Sequence, residues 1–145
     1  MSPRRALAQG LPATLLLSCL VAPAAANPRY DYLLHCGGCH LENGAGDPPE
    51  VPSLREDLST IIAIPEGRAY VARVPGASQA PLSDAGLAAV LNWILETFDD
   101  DAGDFRRFTA REIAGYRGTT LMDPLRRRAE LWDAAAAARE LADYR

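Results

Sequence analysis

The chain has 145 residues, which allows one domain, with 48% hydrophobic residues and a net charge of −4 when His is neutral. All fifteen basic residues are arginine, which removes lysine as a metal ligand. The acidic excess excludes the basic face that nucleic-acid binding requires.

The first predicted element is a targeting segment. Arg4 and Arg5 give a positive start, an apolar run follows from Leu11 to Val21, and Ala24-Ala25-Ala26 forms a small-residue cleavage signal. The run is short for a membrane span. Cleavage is expected after Ala26, giving a periplasmic chain that starts at Asn27 and has no stable membrane insertion. An uncleaved anchor is the alternative. A lipid on Cys19 is a further alternative, opposed by the apolar residues that follow it. The mature chain would carry 13 Arg against 19 acidic residues, a net charge of −6, and only Cys36 and Cys39 as cysteines.

Asn27-Pro28 reads as a cap followed by proline at the first helical position. Tyr30, Leu33 and Leu34 give this short helix an apolar face that runs into Cys36-Gly37-Gly38-Cys39-His40. Closely spaced Cys and His serve several chemistries. Structural zinc needs four ligands around one ion, usually as two separated pairs, and here the second pair, His35 and His40, merely flanks the first. A thioredoxin-like redox pair needs a strand before it, and no β-branched run precedes Cys36. A disulfide between Cys36 and Cys39 closes too small a loop to constrain the chain. Cys-x-x-Cys-His is, by contrast, the attachment motif of c-type haem. The thiols form thioethers with the haem, and His40 becomes the proximal iron ligand. All three groups must face one porphyrin within about one helical turn. Gly37 and Gly38 let the ring lie close to the backbone. Export agrees with this chemistry.

Gly44, Gly46, Pro48, Pro49 and Pro52 then break any long helix. Ser83 opens a second clear helix with Asp84 near its positive end. Leu87, Val90, Leu91, Ile94, Leu95 and Phe98 form one broad apolar stripe along it. The acidic break 99–104 follows. Thr109 and Glu112 are spaced as a capping box, and Asp123-Pro124 starts an alanine-rich helix towards Tyr144. That helix carries Arg126-Arg127-Arg128, read as a solvated face. The expected division is a leader at 1–26, a core domain at 27–98 and a helical extension at 99–145. The extension is expected to pack on the core, or alternatively to serve in docking.

From Tyr30 to Phe98 the chain resembles the class I (mitochondrial-like) monohaem cytochromes c of bacteria. The resemblance rests on "CGGCH", "GAG" at 44–46, "VPSL" at 51–54 and "PLSDAGLAAVLNWIL" at 81–95. It implies an all-α cytochrome c-like fold around one covalent haem c, with an extra helical C-terminal tail. It implies that the Ser83–Phe98 helix crosses the N-terminal helix, with Trp93 in the core or near the haem. It also implies that the Pro52 carbonyl accepts the His40 Nδ1–H, with Pro48 and Pro49 as alternatives. Arg68, Tyr70 and Arg73 become candidates for holding the haem propionates, and His35 is expected to bond locally. The family's sixth ligand is a methionine in a Met-Pro pair, but Val74-Pro75 stands there. Met122, 82 residues beyond His40, is the one methionine of the mature chain. The alternatives are an open site shielded by Val74 and Ile64, or a weak ligand such as Tyr70. The function implied is one-electron transfer between redox proteins, such as a periplasmic dehydrogenase or oxidase, rather than enzymatic catalysis. The competing expectation is a ligand-reactive haem protein, gas-binding or weakly peroxidatic. No spare histidine is left to act as its distal acid–base group.

Overall fold

The computed structural model describes residues 27–56 and 58–144, without the side chains at 139 and 143. The expected leader and its cleavage site lie outside the described residues. The elements are α1 (Pro28–His35), α2 (Gly37–His40), α3 (Leu58–Ile62), α4 (Pro65–Arg73), α5 (Pro75–Ser78), α6 (Asp84–Phe98), α7 (Ala110–Tyr116) and α8 (Pro124–Asp143). Among the described residues the only extended pairing is an isolated antiparallel bridge, Asp47 with Val51. The fold is all-α, as expected.

Local chemistry starts four of these helices. The side chains of Asn27, Ser83, Thr109 and Asp123 accept backbone N–H groups from Arg29, Gly86, Glu112 and Arg126. Each satisfies a donor that the first helical turn leaves without a partner. The middle helices are not legible as periodic segments. They are four to nine residues long, and Pro65 and Pro75 begin two of them.

The stripe on α6 forms the centre of the core. Leu87, Val90, Ile94 and Leu95 are almost wholly buried, each contributing about 1.5–3 kcal/mol through removal from water. The α6 helix packs against α1 on one side and α7 on another. At the α1 contact, Tyr32, Trp93 and Phe98 form an aromatic cluster with ring centroids 5.1–5.2 Å apart. Trp93 is partly buried and packs against the core through this cluster.

The C-terminal segment is part of this core. Phe108, Ile113 and Leu131 are buried in the same cluster as the residues of α1, α3, α4 and α6, and α8 lies against α3 and α4. Asn92 ties the segment down: its amide donates to the Phe108 carbonyl at 3.1 Å and accepts the Phe108 N–H at 2.7 Å. The acidic break is also structural. Asp99 is buried and accepts the N–H groups of Ser59 and Asp101, placing a carboxylate at the start of α3, where the helix dipole favours it. Among the described residues no helix is long and apolar enough to cross a membrane.

Candidate haem-binding site

The chain turns sharply through the motif. The Cys36 N–H donates to the Tyr32 carbonyl at 2.8 Å, and the His40 N–H donates to the Cys36 carbonyl at 2.9 Å. The short α2 helix therefore presents Cys36, Cys39 and His40 from a single turn. It ends at Leu41, whose φ of +63° is left-handed. The Tyr32 hydroxyl holds that turn by donating to the Leu41 carbonyl at 2.5 Å. Burial, with the nearby Cys36 thiol, pushes the Tyr32 phenol up to about 12, so it remains a donor.

Cys36 and Cys39 are free thiols. Burial first, then the charges of Asp31 and Cys39, pushes the Cys36 thiol up to about 11. A redox-active Cys-x-x-Cys pair needs the opposite, a thiolate stabilised near neutral pH. Cys36 is half-buried and Cys39 is exposed. A side chain at Gly38 would meet no atom within 4 Å, so the face between the cysteines is open to a planar group.

His40 is oriented from behind. Its Nδ1 lies 3.1 Å from the Pro52 carbonyl. A carbonyl can only accept, so Nδ1 carries the proton and the Nε2 lone pair is left free. Burial is the main cause holding the imidazole below its ordinary pKa; the Arg128 charge adds to it and the Pro52 carbonyl opposes it. This neutral, fixed tautomer is what an iron ligand requires. Gly46 makes the Pro52 approach possible. Its φ is +67°, and a Cβ there would stand 2.5 Å from the Val51 carbonyl oxygen and 2.8 Å from that of Pro52. Its N–H donates to the His40 carbonyl at 3.0 Å. Among the described residues no group of three or more His, Cys, Asp or Glu side chains could hold a bare metal ion. The donor set of two free thiols and one imidazole nitrogen within a turn fits haem c instead.

The other expected site residues separate. Arg68 is buried, and its guanidinium donates to both Glu112 carboxylate oxygens, at 2.6 and 2.9 Å, and to the Arg106 carbonyl. It also stacks on Phe108, 3.9 Å from the ring centroid. Arg73 donates to the Thr119 carbonyl at 2.9 Å. Both arginines fasten the tail. Tyr70 is buried, and burial raises its phenol while the Arg128 charge opposes the shift. Met122 is not brought to the cluster; its side chain is 96% exposed. Val74 and Ile64 are half-buried against the core. His35 is the basic residue in the last turn of α1, where a cation favours the helix end; no side-chain hydrogen bond of His35 is seen among the described residues.

The residue that sequence reasoning misses is Arg128. The run it belongs to reads as a solvated face, yet Arg128 is half-buried, and its charge bears on the Tyr70 phenol and the His40 imidazole. With Pro48, Pro49, Pro52 and Trp132 it lines a cavity of about 550 Å³ between the proline-rich loop and α8. Its spacing on α8 relative to Leu131 and Ala135, which are buried, is the available signal.

A helical core that presents a thiol pair and an oriented imidazole from one turn defines a protein built to carry a porphyrin. Comparison with known proteins agrees. The chain is 33% identical over 106 residues to cytochrome c-552 of Thermus thermophilus, with 59% of this chain and 81% of that protein covered. A second cytochrome c-552 sequence from the same species aligns at the same identity, 33%, with 72% of its length covered. No protein-family model matches the chain, and no solved structure does. The chain belongs to the c-type cytochromes.

Proposed function

We propose that this protein is a class I, monohaem cytochrome of the periplasm that carries single electrons between redox proteins. The observation that carries the reading is the His40 ring, fixed by the Pro52 carbonyl at 3.1 Å beside two free thiols. In this reading Cys36 and Cys39 bind haem c covalently and His40 ligates its iron. Haem supplies a one-electron couple whose potential its axial ligands and surroundings set. The chain's own residues bind and orient it. Pro52 holds the imidazole ring, Gly46 lets the Pro52 carbonyl approach, and the α6 core excludes water behind the motif. The role is that of a carrier rather than an enzyme, with a dehydrogenase or oxidase of the same compartment as the class of partner. The net acidic chain favours partners with basic docking faces over nucleic acid. Export rests on the sequence of residues 1–26.

The test is acid–acetone extraction of the exported protein, followed by intact mass. The expected result is colour retained by the polypeptide and the mass of a chain beginning at Asn27 plus one haem. Haem that passes wholly into the solvent overturns the covalent assignment.

A second reading, an exchangeable sixth position open to small ligands, is favoured by one observation. Val74 occupies the family's methionine position while Met122 faces solvent. Ready binding of CO by the reduced protein supports it, and a CO-insensitive spectrum removes it.

A further inference from the structure

The cavity of about 550 Å³ between the proline-rich loop and α8 is a groove with an apolar floor. Pro52 from the loop and Trp132 from α8 line it and are half-buried. Pro48, Pro49 and Leu125 continue the same surface outward and are exposed, Leu125 to 44%. A single exposed leucine is ordinary. Prolines, a leucine and a tryptophan around one concavity form a contiguous apolar patch, which marks an interaction site.

The exposed charges of the groove are acidic. Glu56 and Asp133 line it, both exposed, and neither takes part in an ion pair among the described residues. Arg128 lines it too but is half-buried. The neighbouring Arg126 and Arg127 are paired with Asp123 and Glu130. The loop adds Asp47 and Glu50, also exposed, against Arg55.

A small-molecule site aims a few buried polar groups at its ligand. Here Arg128 and Ser53 are only half-buried and both carboxylates are exposed. An apolar centre within a polar, exposed rim is the anatomy of a protein interface, and tryptophan is a residue type on which binding energy concentrates. An acidic rim attracts positive partners and repels negative ones. Pro52 connects the groove to the haem-binding motif: it lines the floor, and its carbonyl lies 3.1 Å from His40 Nδ1. A partner seated in the groove therefore touches the residue that orients the proposed iron ligand.

Resting on the electron-carrier reading above, we propose that the groove between the proline-rich loop and α8 is a docking site for a basic, apolar segment of a redox protein partner. Trp132 and the prolines receive its apolar side chains, and Glu56 and Asp133 face its positive charges. The C-terminal extension thereby supplies half of the docking surface.

The test uses the full-length exported holoprotein, isotope-labelled for NMR. The chain has two tryptophans, Trp93 in the α1–α6 aromatic cluster and Trp132 in the groove, and each gives its own indole N–H signal. The probes are the peptides acetyl-KLKLK-amide and acetyl-ELELE-amide, and the small aromatic benzyl alcohol. The lysine peptide at millimolar concentration is expected to move the Trp132 signal saturably and to leave Trp93 in place. Added salt should weaken that binding in wild type. Glu56→Gln and Asp133→Asn, both at exposed positions, should each weaken it about two- to five-fold, the range of exposed charge pairs. Leu125→Ala should weaken it without changing its salt dependence. The salt titration and the glutamate peptide decide the matter in wild type if a variant does not accumulate. Haem-bearing protein whose Trp132 signal ignores the lysine peptide overturns the proposal alone. So does equal binding of the glutamate peptide, or a Trp132 response to benzyl alcohol only, which makes the groove a small-molecule pocket. Wild type that carries no haem while Trp132 still answers to the lysine peptide overturns the functional reading and leaves the docking site standing.

Discussion

Residues 36–54 are fastened by backbone hydrogen bonds between groups close in sequence, whereas residues 106–132 are fastened mainly by bonds, most from side chains, to groups far away along the chain. In the first region the Gly46 N–H meets the His40 carbonyl at 3.0 Å and the Leu54 N–H meets the Gly44 carbonyl at 2.8 Å. In the second, Arg68 grips Glu112, and Arg117 donates to the carbonyls of Ser78, Ala80 and Leu82. The Leu121 N–H meets the Arg73 carbonyl at 2.9 Å. The local region presents the ligands by geometry built into a short stretch of chain. The distant region lines the other side of the cavity through contacts that the shared core brings together. The 73–82 segment, where the resemblance to class I cytochromes implies a methionine, is held here by the tail.

The largest effect should fall on the local wall. His40→Ala removes the one imidazole held by Pro52, and the expected outcome is loss of the native haem spectrum while the thioethers proposed at Cys36 and Cys39 keep the haem on the chain. An unchanged spectrum would mean that the two walls do not divide the work in this way. On the distant wall, Arg68→Ala leaves the Glu112 carboxylate, whose side chain is 9% exposed, without its main buried partner. The expected loss is about 3–5 kcal/mol, moderated by Arg106, in urea or thermal unfolding followed by circular dichroism. A loss near zero would show that the extension is only loosely attached.

Gly46→Ala returns to the local wall with a smaller effect. The left-handed backbone costs on the order of 1–3 kcal/mol for a non-glycine residue, and the added Cβ presses on the Val51 and Pro52 carbonyls. Stability should fall, and the Soret maximum should move as the His40–Pro52 contact loosens. A stability loss without a spectral change would separate the loop from the ligand.

The pH dependence sharpens the comparison from the tail side. The Arg68 hydrogen bonds, chiefly, and Arg106 hold the Glu112 carboxyl below the usual carboxylate range, against burial. A depressed folded pKa means stability that is fully present above about pH 4.3, the unfolded value, and lost as pH falls through the lower folded value. The Tm of Glu112→Gln should therefore decline less steeply than wild type below about pH 4. The smallest effect belongs to Met122→Ala. With the side chain 96% exposed, neither the far-red absorption nor the Tm should change; a lost far-red band would place the thioether on the iron.

The sequence by itself determined what depends on near neighbours. Cys36, Cys39 and His40 were legible because two sulfurs and an imidazole within one turn share a face whatever surrounds them. The starts of α1, α6, α7 and α8 were legible because Asn27, Ser83, Thr109 and Asp123 reach only two or three residues ahead. The α6 stripe was legible because its period is set by the helix. The tertiary structure decided what each long side chain met. The Thr109–Glu112 box is only half formed, because the Glu112 carboxylate is drawn to Arg68 and Arg106 instead of back to the cap. Arg126, Arg127 and Arg128 are chemically identical in sequence, and only the packing of α8 on α3 and α4 turns Arg128 into the cavity. Leu131 and Phe108 could be read as the apolar side of an appendage, yet both lie in the common core. A flexible cation or a single leucine carries no record of its partner along the chain; the partner is set by which helices the buried apolar surface brings together.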